Sequence, residues 1–464
     1  MRNKPTAPVR RGGGGCARLR HVVAALSLCV AAIPVAEAGA VTISSAASVE
    51  VANTLRSATA ADRELDSFYR ARDYRPLWVG NDGLRPEARQ VVELVRNAAA
   101  DGLDPDRYQA DELSAAVTAA GQGDRAALAR AEFMLSSALA AYARDLRRPA
   151  HIDMLYVDRD LAPRELTGRE ALSTVASASS LRSGIDAVTR MNPIYTGLRD
   201  AFRDFSGPSA QAQLVRANLE RARALPAEMG RRFILVDAAS ARLWMYEDGQ
   251  VQGTMRVVVG RPGEQTPMLA SYIRHATVNP YWNVPPDLVR RLIAPQVVRR
   301  GLPYLRTAGY EVLSGWGPNA DPVDPSTIDW AAVAAGQLEL PVRQLPGPAN
   351  SMGRVKFMFP NERGVYLHDT PNRDLFRAAD RRQSAGCVRV EDADRLARWL
   401  FGSMPSADSN APEQNVPLPE PVPVYITYLT ALPEGGRIVF QNDVYGRDRQ
   451  LTASVGGTSL ASRR

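Results

Sequence analysis

The chain has 464 residues, 45% of them apolar and 23% charged, which excludes a wholly disordered protein and exceeds what one hydrophobic core accommodates. Its formal charge of +7 is concentrated at the start. Residues 1–40 hold six basic side chains (Arg2, Lys4, Arg10, Arg11, Arg18, Arg20) against Glu37, leaving 51 basic and 49 acidic residues elsewhere. The remainder has no long basic run or RNP-like aromatic motif, so the sequence points to no nucleic-acid partner.

Residues 1–40 read as an export signal. A basic stretch ends at Arg20, an apolar run covers residues 22–35, and Ala36-Glu37-Ala38 supplies a small-x-small cleavage site. Cleavage after Ala38 and after Ala40 fit equally well. The run is shorter than the roughly 20 residues that span a bilayer, which favours a cleaved signal over a retained anchor. Cys16 and Cys29 leave with this segment, and Cys387 remains as the only thiol. An exported chain with one cysteine has no internal disulfide, so Cys387 is either a buried apolar residue or a nucleophile. There is no CxxC or HExxH, and hence no expected metal site.

The fold class expected is α+β and multidomain. Residues 45–225 read as a mainly helical scaffold. A helix over residues 84–100 has Pro86 in its first turn and stops at Gly102. Another over residues 124–146 repeats Leu128, Ala131, Leu135, Leu139, Tyr142 and Leu146 at helical spacing, and a third covers residues 210–223. At Arg231 the period changes. Runs at residues 233–236, 242–246 and 251–259, separated by turn residues such as Asp248-Gly249, predict a β-meander opening a second domain over residues 229–446. Residues 279–350 are rich in Pro, Gly and aromatics (Trp282, Tyr304, Tyr310, Trp316, Trp330), with a helix over 286–298. An insertion this long suits a lid or substrate loop. Strands are expected at 355–359, 364–368, 422–430 and 437–440, a helix at 391–401, a surface linker at 403–421, and a flexible tail at 447–464.

Chemistry concentrates in residues 366–389. Tyr366-Leu367-His368-Asp369 ends a predicted strand, and Ser384-Ala385-Gly386-Cys387-Val388-Arg389 follows. A thiol becomes a useful nucleophile when a base takes its proton or a cation stabilises its thiolate. His368 can be that base. Gly386 permits a tight turn, so amides at Gly386 and Cys387 can hold an oxyanion. Arg389 can support the thiolate or clamp a substrate carboxylate. A buried cysteine, a satisfied histidine and a surface arginine form the bland alternative. The S-x-G-C-x-R frame in an exported one-cysteine chain outweighs it.

These residues resemble the L,D-transpeptidases that cross-link bacterial peptidoglycan, whose signature is a strand-end histidine followed by a Ser/Thr-x-Gly-Cys-x-Arg/Asn box. His368 and Cys387 stand 19 positions apart. Gly260 with Thr266-Pro267, Asn279-Pro280-Tyr281-Trp282-Asn283-Val284-Pro285, and Gly353-x-Val355-Lys356-Phe357 also look like the family. Phe68-Tyr69-x-x-Arg72-x-Tyr74-x-Pro76-x-Trp78 and Asp101-Gly102-Leu103-Asp104-Pro105 resemble the scaffold of its long Gram-negative members. The resemblance implies a β-sandwich-like catalytic domain with a capping insertion, a periplasmic location, and a role in wall biogenesis and cell shape. It also implies thioester chemistry without a cofactor. Cys387 would attack a tetrapeptide donor stem, His368 would pass the proton to the departing D-alanine, and an amine of a neighbouring stem would open the thioester to give a three-to-three cross-link. Ser384, Tyr366 and Trp282 would serve substrate binding beside Arg389, and a carbapenem would acylate Cys387. Two departures stand out. Ala385 replaces a histidine common before Gly-Cys, leaving His368 as the sole base. Residues 150–225 lack the pattern of a peptidoglycan-binding module. An L,D-carboxypeptidase or amidase using the same thioester, and a non-catalytic wall-binding protein, stay open as alternatives.

Overall fold

A buried carboxylate organises the N-terminal half in the computed structural model, which describes residues 45–81, 83–122, 124–149, 152–317, 319–406, 411–449 and 451–452. The expected signal over residues 1–40 lies outside them. Helix Arg125–Arg147 buries one long face, with Leu135, Leu139, Tyr142 and Leu146 almost inaccessible. Glu132 lies on that face and accepts hydrogen bonds from the amides of Leu77, Trp78 and Val79 (2.5, 2.8 and 3.0 Å) and from the Tyr69 hydroxyl (2.7 Å). Ser136, one turn on, bonds Tyr69 and the Trp78 indole N–H (2.7 and 2.9 Å). The aromatic motif at residues 68–78 is thus tied to one acid. Burial pushes the Glu132 carboxyl up, while these donors pull it down.

The expected helices form, over Glu87–Arg96, Arg125–Arg147 and Ser209–Arg223, joined by Ser45–Thr59, Arg63–Arg70, Ala110–Ala120, Gly168–Ser177, Leu181–Thr189 and Pro193–Arg203. Beside a short strand pair, Val79–Gly80 with Gly83–Leu84, one scaffold segment reaches the other domain. Leu155–Tyr156 pairs in parallel with Leu269 and Ala270, adding a strand to the second domain's sheet. Asp158 secures the join by accepting from the Ser271 hydroxyl and the Tyr272 amide (2.9 and 3.0 Å).

The β-rich half begins with the meander Arg232–Asp237, Arg242–Glu247 and Gln250–Gly260. From Gln250–Gly260 the sheet continues through Val388–Val390 and Leu367–His368 to Val355–Met358. On its other side Arg232–Asp237 pairs with Gln414–Thr427, then with Leu269–Val278, which itself pairs with Val355–Met358. The sandwich-like domain is therefore a ring of paired strands enclosing Val236, Val257, Ile273, Phe357, Leu367 and Val424, all at most 2% exposed.

Two boundaries differ from expectation. The expected linker at 403–421 contains half a strand, because Gln414–Pro417 pairs with His275–Val278 before a register shift near Pro417 and Val422. Prolines are tolerated where a bulge releases their missing N–H from the ladder. The expected tail from residue 447 is anchored at its start. Arg447 donates to Gln265 (2.8 Å), and Asp448 pairs with the buried Arg221 of the scaffold (2.5 Å).

The insertion has its own core. Strands Trp282–Val284, Tyr310–Leu313, Pro322–Val323 and Val342–Gln344 form a separate four-stranded sheet. They pack with Leu288, Ile293, Val297, Leu305, Trp330 and Val333. Its expected helix runs as Pro286–Leu288, a wider turn over Val289–Ile293, and Ala294–Arg300. Pro295 has no N–H to donate and so interrupts the regular ladder.

Replacing Glu132 with Ala strands three amides, those of Leu77 and Trp78 buried and that of Val79 half-buried. We expect urea unfolding to show a loss of about 3–5 kcal/mol, beyond what an exposed-surface substitution causes.

Candidate active site

Strand register puts the reactive side chains on one face. His368 is the partner of Lys356 on one side and of Arg389 on the other. Cross-strand partners project to the same side, and side chains alternate along a strand. Lys356, His368 and Arg389 therefore share a face, joined by Tyr366 and Cys387 two residues back on their strands. The Val388 amide donates to the Tyr366 carbonyl (3.1 Å), fixing the two segments together.

His368 is 1% exposed. Its Nδ1 lies 2.6 Å from the Asp369 carbonyl oxygen, an acceptor only, so Nδ1 carries the proton and Nε2 keeps a free lone pair. Burial, then the nearby Arg389, depresses the imidazole to about 3. It is a neutral base at physiological pH. Asp369 is itself immobilised: its carboxylate accepts from the Arg354 amide (2.9 Å) and pairs with Arg373 (2.7 Å). Gly353 is required beside it, since its φ is +61° and a Cβ there would sit 2.3 Å from the carboxylate.

Cys387 is half-buried, and its Sγ faces the Gly364 carbonyl oxygen at 3.5 Å. Asn361 shapes that loop, its amide donating to the Phe359 and Val365 carbonyls (2.7 Å each). Burial pushes the thiol up, against the lowering pull of hydrogen bonds from Tyr366 and of the cations Arg389 and Lys356. The balance favours the thiol over the thiolate. Activation requires a base to take the proton as the sulfur attacks.

The other expected site residues divide. Arg389 has a buried Nε without a hydrogen-bond partner, and no ion pair holds its guanidinium among the described residues. It is a cation close enough to act on the thiol. The Tyr366 hydroxyl lies near Cys387 and 3.4 Å from the Met352 sulfur, its ring set edge-on to His368 at 5.7 Å. Burial and the neighbouring Cys387 hold that hydroxyl protonated. Gly386 has φ +110°, a conformation that favours glycine. Its amide, however, already donates to the Ser384 hydroxyl (3.2 Å), which itself donates to the Cys387 carbonyl (2.6 Å). That bond engages the Gly386 amide within the loop. Ser384 thus clasps the loop that carries Cys387. Thr266 completes that loop by donating to the Gly386 carbonyl (2.8 Å) while accepting from the Gly260 amide (2.9 Å). Trp282 is half-buried, packing against Tyr310 at 6.4 Å and against the insertion's core.

The sequence analysis missed Lys356, Asp369, Thr266 and Glu413 as site residues. Asp369 adjoins His368, while Lys356 and Thr266 lie in the quoted flanking motifs. Glu413 carried no signal, being embedded in a Pro- and Ser-rich stretch. Among the described residues no three His, Cys, Asp or Glu side chains gather as a metal-binding group.

Residues 63–202 match a scaffold domain family, and residues 231–424 match the L,D-transpeptidase catalytic domain family. A Haemophilus influenzae protein provisionally named an L,D-transpeptidase is 29% identical over 403 residues, covering 83% of this chain and 78% of its own. Among solved structures, the Enterococcus faecium L,D-transpeptidase catalytic domain acylated by ertapenem is 16% identical, covering 43% of this chain and 98% of its own at a TM-score of 0.22. A Mycobacterium smegmatis L,D-transpeptidase is 14% identical, covering 42% of this chain and 58% of its own, also at 0.22. Scores this low carry no structural detail across.

Iodoacetamide alkylation of Cys387, followed by the mass of its tryptic peptide against pH, should rise to a midpoint above the ordinary thiol value of about 8.5. Because His368 titrates near 3, no second inflection should appear near its ordinary value of about 6.5. A midpoint below 7 would show that the cations outweigh burial.

Proposed function

The chain belongs to the L,D-transpeptidase family through its catalytic domain, and from that premise we propose that it forms three-to-three peptidoglycan cross-links through a Cys387 thioester. The observation carrying this reading is the shared face of a neutral buried base, a thiol and an unpaired guanidinium. As Cys387 attacks the carbonyl of the third stem residue, Nε2 of His368 takes the thiol proton. The Cys387 amide stabilises the oxyanion, and Arg389 holds a carboxylate of the donor stem. Collapse expels D-alanine, which receives the proton from His368. A stem amine then attacks the thioester, losing its proton to His368, and the sulfur departs as the thiol. No step calls for a cofactor.

The insertion over residues 279–350 favours transfer over hydrolysis. A body with its own core can limit water and shape an acceptor channel, a device that a hydrolase working in water at roughly 55 M does not need. The basic and apolar N-terminal segment supports export to the periplasm with cleavage after Ala38 or Ala40. N-terminal sequencing of the exported chain checks this, and recovery of residues 1–38 on a membrane-bound product would replace the signal with an anchor.

Purified disaccharide-tetrapeptide incubated with the enzyme should give cross-linked dimers resolved by mass, and Cys387→Ala should give none. Tripeptide as the sole product at high acceptor concentration would transfer the assignment to a carboxypeptidase. A carbapenem should add once to wild type and not to Cys387→Ala. A folded wild type that stays unmodified under prolonged exposure would favour a non-catalytic binder.

A further inference from the structure

Lys356 occupies a position where a charge is costly. It lies in the middle of Val355–Met358, flanked by Leu367–His368 and Leu269–Val278, and is 6% exposed. An apolar side chain of similar length would fill this place without desolvating a cation. Its ammonium instead donates to Glu413 (2.7 Å) and to the Tyr281 carbonyl (3.3 Å), and lies 5.9 Å from the Tyr366 ring.

Glu413 belongs to the first residues of the insertion as much as to its own segment. Its second carboxylate oxygen accepts from the Tyr281 amide (2.6 Å), and its own amide donates to the Asn279 carbonyl (2.9 Å). Glu413 and Asn279 both adopt positive φ, +56° and +47°, a strained arrangement that persists only where surrounding contacts enforce it. The Asn279 amide bonds the Arg354 carbonyl (3.2 Å), and Arg343 of the insertion stacks 4.4 Å over the Tyr281 ring. Residues 279–281, where the chain leaves the catalytic sheet for the insertion, are thus pinned to the strand beside His368.

Resting on the acyl-transfer reading above, we propose that Lys356 is a positioning residue for the reaction: with Glu413 it fastens the base of the insertion to the catalytic sheet, and it keeps a buried cation on the face that carries Cys387. The groups facing this cation are Glu413, Tyr366 and His368 on adjoining segments, His275 on Leu269–Val278, and Arg389 with Cys387 one strand further on. Its charge favours the thiolate over the thiol, the direction needed for attack, and keeps the resting His368 neutral and so able to accept a proton.

The full-length enzyme and its Lys356→Met, Lys356→Arg and Glu413→Gln variants test this. Lys356→Met should raise the midpoint of iodoacetamide alkylation at Cys387 by about one unit and slow acylation by disaccharide-tetrapeptide at neutral pH by roughly tenfold. Lys356→Arg should restore the midpoint to near wild type. Glu413→Gln retains the cation and loosens the clamp, so KM for the tetrapeptide should rise with no upward shift of the midpoint. A folded Lys356→Met protein with the wild-type midpoint overturns the proposal. Should that variant not fold, Glu413→Gln with wild-type KM overturns it. Iodoacetamide needs no wall fragment, so the midpoint judges Lys356 even if wild type fails with tetrapeptide, a result that would count against the transpeptidase reading.

Discussion

The register of three short strands is the constraint on which the active face depends. Opposing Lys356, His368 and Arg389 across adjacent ladders places three nitrogen-bearing side chains in one row. A slip of one residue would send them into the core and turn Phe357, Leu367 and Val388 outward. The apolar residues between the reactive ones are buried at 0% exposure, so the core that stabilises the sheet also enforces the catalytic alignment. Function and folding draw here on the same alternation.

Burial then divides the labour within the row. The desolvation that makes the thiol harder to ionise also keeps His368 free of its second proton, so a thiol that resists ionisation faces a neutral imidazole. The Asp369 carbonyl oxygen selects the tautomer, while its carboxylate is locked by Arg354 and Arg373. One residue thus holds the ring through its main chain and secures itself through its side chain.

Much of this was legible in the sequence, for identifiable reasons. His368, Cys387 and Arg389 stand in a tight local frame, and the meander announced itself through period-two runs and turn residues. Residues whose meaning lies in long-range pairing were harder to see. Glu413 acquires its role only when residues 279–281 arrive beside it, and Ser384 looked available until its hydroxyl was found used in both directions. The packing of Trp282 against Tyr310 likewise shows only once residues 28 positions apart are brought together. Leu155–Tyr156 is too short to signal a strand, and its pairing partner lies more than a hundred residues away.

That two-residue strand has a practical consequence. Leu155 and Tyr156 cover one side of Leu269–Ala270, and Asp158, Asn218 and Arg221 bind further points of the β-rich half. Cutting the chain between helices and sheet would therefore not yield a clean module. It would uncover backbone donors and acceptors along Leu269–Ala270 and leave apolar surface open, the circumstances in which sheets recruit one another and precipitate.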